Sequence, residues 1–275
     1  MTNVSSLVTD TLPANAPEPR APSLLEVSRL TLHFGGVAAL TDVSFDVAAG
    51  ELFGVIGPNG AGKTCILNCL NGVYRPQSGR ALLDGRNLIN MRPPATVRAG
   101  VARTFQNLAL FANLSVLDNL MLGRHHLMST GAVTGALWWG RARREEVRHR
   151  VRCAEIMDLL HLGPYRHHQV GILPYGIQKR IELGRALAMD PKLMLLDEPV
   201  AGMNLEETED MAGYIAEIRE ELGVTMILVE HHLHLVMDLV DRVLVLGFGR
   251  VIATGSPAEV QSDARVVEAY MGLET

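Results

Sequence analysis

Four stretches of the chain carry no polar side chain at all: Leu52–Ile56, Leu193–Leu196, Met226–Val229 and Val243–Leu246. Strands buried on both faces read this way in parallel α/β sheets, because neither side meets water. Each of the first three runs into a polar or glycine-rich turn and then a helical pattern. Ligands of such sheets sit beyond the carboxyl ends of the strands, which predicts a site near Gly57, Asp197 and Glu230. A different texture precedes it. Leu25–Phe34 and Val43–Val47 are β-like, and Asp84-Gly85 sits between residues 80–83 and 86–88 as a hairpin signal. The opening third therefore predicts a twisted, partly antiparallel sheet.

Between about 107 and 172 the apolar spacing becomes helical and the strand signals vanish. This predicts a helical subdomain, inserted over about 107–188. It includes Trp138-Trp139 and a charge run from Arg141 to Arg152 of mixed sign, expected to form a solvated helix face. Residues 1–23 are polar or small, with Pro13, Pro17, Pro19 and Pro22 and no period, and read as a disordered leader ahead of one domain over 24–275. There is no internal repeat. Nor does any run reach the roughly 18 apolar residues of a membrane span, so any membrane role needs another polypeptide to cross the bilayer. A basic segment followed by an apolar one, the mark of a secretory signal, is also missing.

Composition changes this picture in three places. The 25 basic against 30 acidic residues give −5, which argues against nucleic acid as the main ligand. Only three of the 25 are lysines, Lys63, Lys179 and Lys192, so a lysine is an unusual choice wherever it stands. Three cysteines without a CxxC spacing exclude a disulfide scaffold and fit a reducing compartment. Cys65 and Cys69, four apart, read as small buried fillers.

Gly57, Pro58, Asn59, Gly60, Ala61, Gly62, Lys63 and Thr64 match the phosphate-binding pattern G-x-x-x-x-G-K-[ST] at every fixed position. The glycines let the backbone curl so that successive N–H groups face one hollow, toward which the next helix directs its positive end. Lys63 brings a charge to the β- and γ-phosphates of a nucleotide, and the Thr64 hydroxyl suits Mg²⁺. Leu193-Met-Leu-Leu-Asp197-Glu198-Pro199 then sets two carboxylates at the end of a buried strand. Asp197 can hold Mg²⁺ and Glu198 can polarise a water attacking the γ-phosphate.

These motifs, with Gln106 in Ala102–Asn107, Leu173-Pro-Tyr-Gly-Ile177, and His231 after an apolar strand, stand in the order of an ATP-binding cassette (ABC) ATPase. The chain resembles that superfamily over about residues 24–273. Gly123-Arg-His-His126, Ala201-Gly-Met-Asn204, Val229-Glu-His231 and Glu268–Gly272 are similar to the ATP-binding subunits of branched-chain amino-acid importers. The resemblance implies an α/β P-loop NTPase fold of the ABC type: a mostly parallel core sheet, an N-terminal antiparallel β subdomain and an inserted helical subdomain. It implies two such domains closing head to tail on two MgATP. Residues 57–65, including Cys65, would hold the nucleotide, and Phe34 would stack on adenine. Thr64, Gln106 and Asp197 would hold Mg²⁺. Glu198, His231, Gln106 and Lys63 would serve hydrolysis, while Tyr175, Gly176 and Asn204 would meet the ATP of the opposite protomer. Implied partners are two integral-membrane permeases, a second ATP-binding subunit and, indirectly, an extracytoplasmic solute-binding protein, with this chain peripheral on the cytoplasmic face of the membrane.

The chain departs from the family pattern in places. Pro174, Tyr175 and Ile177 stand where Ser, Gly and Gln are usual in the signature, which removes two side-chain donors and predicts a weaker phosphate contact. Asn204 replaces an aspartate, and His232 stands where the importer group usually has an aspartate. His231, His232, His234 and the pairs at 125–126 and 167–168 lack zinc-type spacing, so the histidines other than His231 read as structural. A soluble ABC ATPase and an ATP-binding regulatory module are the competing readings.

Overall fold

The computed structural model describes residues 22–104, 109–128 and 141–271. Two sheets organise them. A four-stranded antiparallel sheet has the order β2-β1-β4-β5, from β1 (Ser23–Phe34), β2 (Val37–Ala48), β4 (Ser78–Leu83) and β5 (Arg86–Asn87). A six-stranded sheet has the order β10-β9-β3-β8-β7-β6. Its members are β3 (Leu52–Ile56), β6 (Val101–Arg103), β7 (Leu193–Asp197), β8 (Thr225–Val229), β9 (Arg242–Gly247) and β10 (Arg250–Gly255). All neighbours in it run parallel except β10 against β9.

The unbroken apolar strands have a direct cause. In β3, β7 and β8 every residue is buried, and successive side chains enter two different cores. Leu52, Ile56, Met194, Leu196, Met226, Leu228, Val243 and Val245 join one cluster, with the helices. Phe53, Val55, Leu193, Leu195, Ile227, Val229, Leu244 and Leu246 join the other, with the antiparallel sheet. Period-two geometry divides each strand between two dry faces, so alternation disappears from the sequence.

The helices are α1 (Lys63–Leu70), α2 (Pro93–Ala99), α3 (Val116–Arg124), α4 (Arg141–Leu159), α5 (Tyr175–Leu187), α6 (Leu205–Leu222), α7 (Leu233–Leu239), α8 (Pro257–Ser262) and α9 (Ala264–Met271). Buried Leu120, Ile156, Leu160 and Ile181 pack α3, α4 and α5 into the same core as the strands. The Arg124 guanidinium pins them further: it donates to His149 Nδ1 at 2.7 Å, to the Ala188 carbonyl at 2.9 Å and to Asp190 Oδ2 at 2.9 Å. The charge run on α4 is therefore not wholly solvated. Arg143, Arg144, Arg148 and Arg150 are exposed, but Glu145 and His149 turn inward.

Two boundaries differ from the sequence reading. Ser23, placed in the leader, already pairs with Ala48 as the first residue of β1; residues 1–21 lie outside the described residues, as do Trp138 and Trp139. β2 also begins at Val37 rather than Val43. Its first half lacks regular alternation because Ala39 and Leu40 abut the glycine loop of the core sheet.

Candidate nucleotide site

Three strand ends meet. In the order β3-β8-β7, Val55 is level with Val229 and Val229 with Asp197. The segments beginning at Gly57, Glu198 and Glu230 therefore leave the sheet side by side, as parallel register demands. Hydrogen bonds tie the ends together: the Glu198 amide donates to the Val229 carbonyl at 2.9 Å, and the Val200 amide to Glu230 Oε1 at 3.2 Å.

The loop 57–62 owes its shape to glycine. Gly57, Gly60 and Gly62 have φ of 150°, 79° and 103°, a region where a Cβ collides with the backbone. Space is as restrictive as torsion. A Cβ on Gly57 would lie 2.3 Å from the Leu246 carbonyl oxygen, and one on Gly62 would lie 2.7 Å from that of Ala39. The loop is thus walled by the end of β9 and by β2. Gly249, in the β9–β10 turn, completes the wall by donating its amide to the Ala61 carbonyl at 3.0 Å. Gly62 leads into α1 without a side-chain cap, so the first N–H groups of that helix face the hollow uncovered.

The Lys63 ammonium folds back over the loop, donating to the Gly57 carbonyl at 2.7 Å and the Pro58 carbonyl at 3.2 Å. Burial lowers its pKa, while Glu198, Asp197 and Glu230 pull in the opposite direction. A cation beside three carboxylates is positioned to meet an anionic ligand entering the hollow. Thr64 is exposed at the helix start, and Cys65 is half-buried with its thiol pushed up by burial.

Asp197 is buried and ion-paired: Arg103 on β6 donates to its Oδ2 at 2.6 Å and to Asn68 Oδ1 on α1 at 2.5 Å. One guanidinium thus links the helix after the glycine loop to the acidic strand. Sequence reasoning passed over Arg103, because nothing marks one arginine among 22. Glu198 is the next surprise. Its φ of 48° puts a non-glycine residue in the left-handed region, at a cost of order 1 kcal/mol. Gln106 lies outside the described residues.

The remaining predicted residues fall on two other surfaces. Phe34 ends β1, 46% exposed, with Tyr74 edge-on at 5.0 Å between centroids. Pro174 is the N-cap of α5. Tyr175 follows, and its hydroxyl donates to the Ala201 carbonyl at 3.0 Å, joining the signature segment to residues 201–204. Gly176 lies under Glu207, whose Oε1 would be 2.6 Å from an added Cβ. Ile177 faces inward and belongs to the core. Glutamine there would bury an amide, so Ile177→Gln is no clean restoration of a phosphate donor.

Asn204 is committed locally. Its Oδ1 accepts from the Glu207 amide at 2.9 Å while Glu207 Oε2 accepts from the Asn204 amide at 3.1 Å. This reciprocal pair caps α6. Asn204→Ala is expected to cost about 1 kcal/mol. That lowers the melting temperature by about 3 °C in a calorimetric scan; an unchanged scan would mean the cap is redundant.

His231 and His232 follow β8 in a bend ahead of α7, and their rings are 4.2 Å apart between centroids. They flank Glu230, which is fully buried.

Comparison with known proteins places this geometry. Residues 40–201 match the ABC transporter family, and residues 250–274 match a family described as branched-chain amino acid ATP-binding cassette transporter. The high-affinity branched-chain amino acid transport ATP-binding protein BraF of Pseudomonas aeruginosa is 37% identical over 249 residues, covering 90% of this chain and 98% of that one. Its counterpart LivG of Escherichia coli K12 is 36% identical over the same coverage. Among solved structures, a nucleotide-free ATP-binding cassette superposes with a TM-score of 0.78 at 29% identity, covering 90% of this chain and 99% of its own. A cassette in its ADP conformation gives 0.79 at 29% identity, with 92% and 100% covered. A glycine loop, an acidic strand end and a histidine bend on adjacent parallel strands, matched in sequence and superposed in space, make this chain a member of the ABC transporter family of ATP-binding cassettes.

Proposed function

We propose that the chain binds and hydrolyses ATP as the motor subunit of an importer for branched-chain amino acids or a related small polar or carboxylate solute. The observation that carries this reading is the meeting of Gly57–Thr64, Asp197-Glu198 and Glu230-His231 at three adjacent strand ends. The loop amides, the uncapped start of α1 and Lys63 form an anion hole sized for phosphates. Glu198 accepts the proton of a water as that water's oxygen bonds to the γ-phosphorus. The bond to the bridging oxygen breaks and ADP carries its electron pair. His231 contacts the γ-phosphate from the third strand end, and Gln106 relays its state to the permease. The hydroxyl of Thr64 with the oxygens of Asp197 and Gln106 is a hard donor set suited to Mg²⁺, which neutralises phosphate charge when bound.

A second ATP-binding subunit supplies the opposite half of each site through its own signature segment. Here Tyr175 and Gly176, behind the N-cap Pro174, present backbone N–H groups at the start of α5. An apolar groove of about 640 Å³ between β6, α3 and α5 is lined by Val101, Phe111, Leu122 and Arg185. Arg103, three positions before Gln106 in the chain, also lines it, and the groove suits a permease's cytoplasmic helix. Among the described residues no helix is long and apolar enough to cross a membrane; the importer reading makes the chain a peripheral subunit at the cytoplasmic face. The test is affinity capture of the tagged chain from detergent-solubilised membranes of its host, then reconstitution into vesicles. Two multi-span partners and ATP-driven uptake of leucine, isoleucine or valine are expected; soluble partners alone would overturn the importer reading.

A further inference from the structure

Glu230 is 0% exposed, yet it faces two imidazoles that are half exposed. Its Oε2 lies 3.6 Å from His231 Nδ1 and 4.0 Å from His232 Nδ1. Both distances exceed a good hydrogen bond, so neither ring is hydrogen-bonded to the carboxylate. The carboxylate is oriented nonetheless: Oε1 accepts from the Val200 amide at 3.2 Å and Oε2 from the His231 amide at 3.2 Å. Each oxygen keeps a second lone pair. All three ligand atoms lie within 4.8 Å of one another.

We propose that Glu230, His231 and His232 form a binding site for one zinc-type divalent cation. Two imidazole nitrogens and one carboxylate oxygen are a zinc ligand set that leaves a fourth position open. Tetrahedral zinc with bonds of about 2.1 Å places its ligands about 3.4 Å apart. The two carboxylate–imidazole separations, 3.6 and 4.0 Å, need to close by about 0.2 and 0.6 Å, through rotation of two exposed rings about a fixed carboxylate. The two amide donors to Glu230 act as the outer shell that orients a ligating carboxylate. Coordination at Nδ1 fixes the proton on Nε2 of His231, so the ion sets the tautomer and direction of that ring. The binding step involves these three side chains alone and does not rest on the ATPase reading.

The experiment is calorimetric titration of the nucleotide-free, full-length protein with Zn²⁺, repeated on His232→Ala and His234→Ala. Both replaced residues are exposed, so neither change disturbs the core. One ion per chain is expected. Loss of one ligand in His232→Ala weakens binding at least about 100-fold, and His234→Ala leaves it unchanged. Co²⁺ in place of zinc reports the donors: bands of a nitrogen–oxygen tetrahedral site support the assignment, whereas thiolate charge-transfer bands would place the ion on cysteine. Equal affinity in wild type and His232→Ala, or the absence of binding, would overturn the proposal.

Discussion

Glu198→Gln is expected to lower steady-state ATP hydrolysis by about 10³-fold while leaving ATP affinity within a few-fold. General-base catalysis contributes about 10²- to 10⁴-fold, and glutamine keeps the shape of the side chain but cannot accept the proton. The local fold should survive the change. The left-handed φ of 48° at position 198 strains any non-glycine residue alike, and the backbone bonds from Glu198 to Val229 and from Ala201 to Glu198 involve no side chain. Binding and hydrolysis thereby separate. A variant that binds MgATP without consuming it stays closed, so its dimer should accumulate in size-exclusion chromatography with light scattering, and disperse when ATP is withdrawn. Glu230, a fully buried acid near the site, offers a contrast. Both its oxygens already accept backbone N–H groups, and burial pushes its carboxyl above the ordinary range, which suits an organising role. If Glu198→Gln turns over within threefold of wild type, the base is not Glu198 and the reading of the strand end fails with it.

What the sequence revealed about this site follows from which interactions leave a local mark. The glycine loop was legible because three backbone torsions and two close approaches exclude other residues, so the constraint is written at fixed positions. The two-faced burial of β3, β7 and β8 was legible as unbroken apolar runs. Arg103 was not, because its partners Asp197 and Asn68 are 94 and 35 positions away and no spacing reports such a contact. The positive φ of Glu198 is likewise imposed by the sheet and the following segment. Asn204 could have been read more fully: Asn204 with Glu207 three residues later, ahead of a helix, is a capping-box pattern. The inward face of Ile177 depends on packing against distant helices. The bend that brings His231 beside His232 depends on where α7 begins, which no periodicity marks.

Arg103→Met should be the most damaging single change to stability near the site. Arg103 and Asp197 are each 6% exposed, so methionine would leave the carboxylate buried without its cation. Breaking such a pair from one side costs about 3 kcal/mol or more. For a chain of this size that lowers the melting temperature by about 6–12 °C. The effect is on the pair, not on arginine as such, and a double-mutant cycle separates the two. Asp197→Asn alone also breaks the pair, leaving the guanidinium to Asn68. The double variant Arg103→Met with Asp197→Asn removes both charges together. It should therefore lie well above the sum of the single losses, with a coupling of about 2 kcal/mol. Hydrolysis should not return with stability, because the double variant still lacks the carboxylate proposed to hold Mg²⁺. Recovery of fold without recovery of turnover would assign Arg103 the positioning of Asp197 and its tie to α1. Additive losses in the cycle would mean that the ion pair contributes nothing of its own, and that Arg103 matters only for the space its side chain fills.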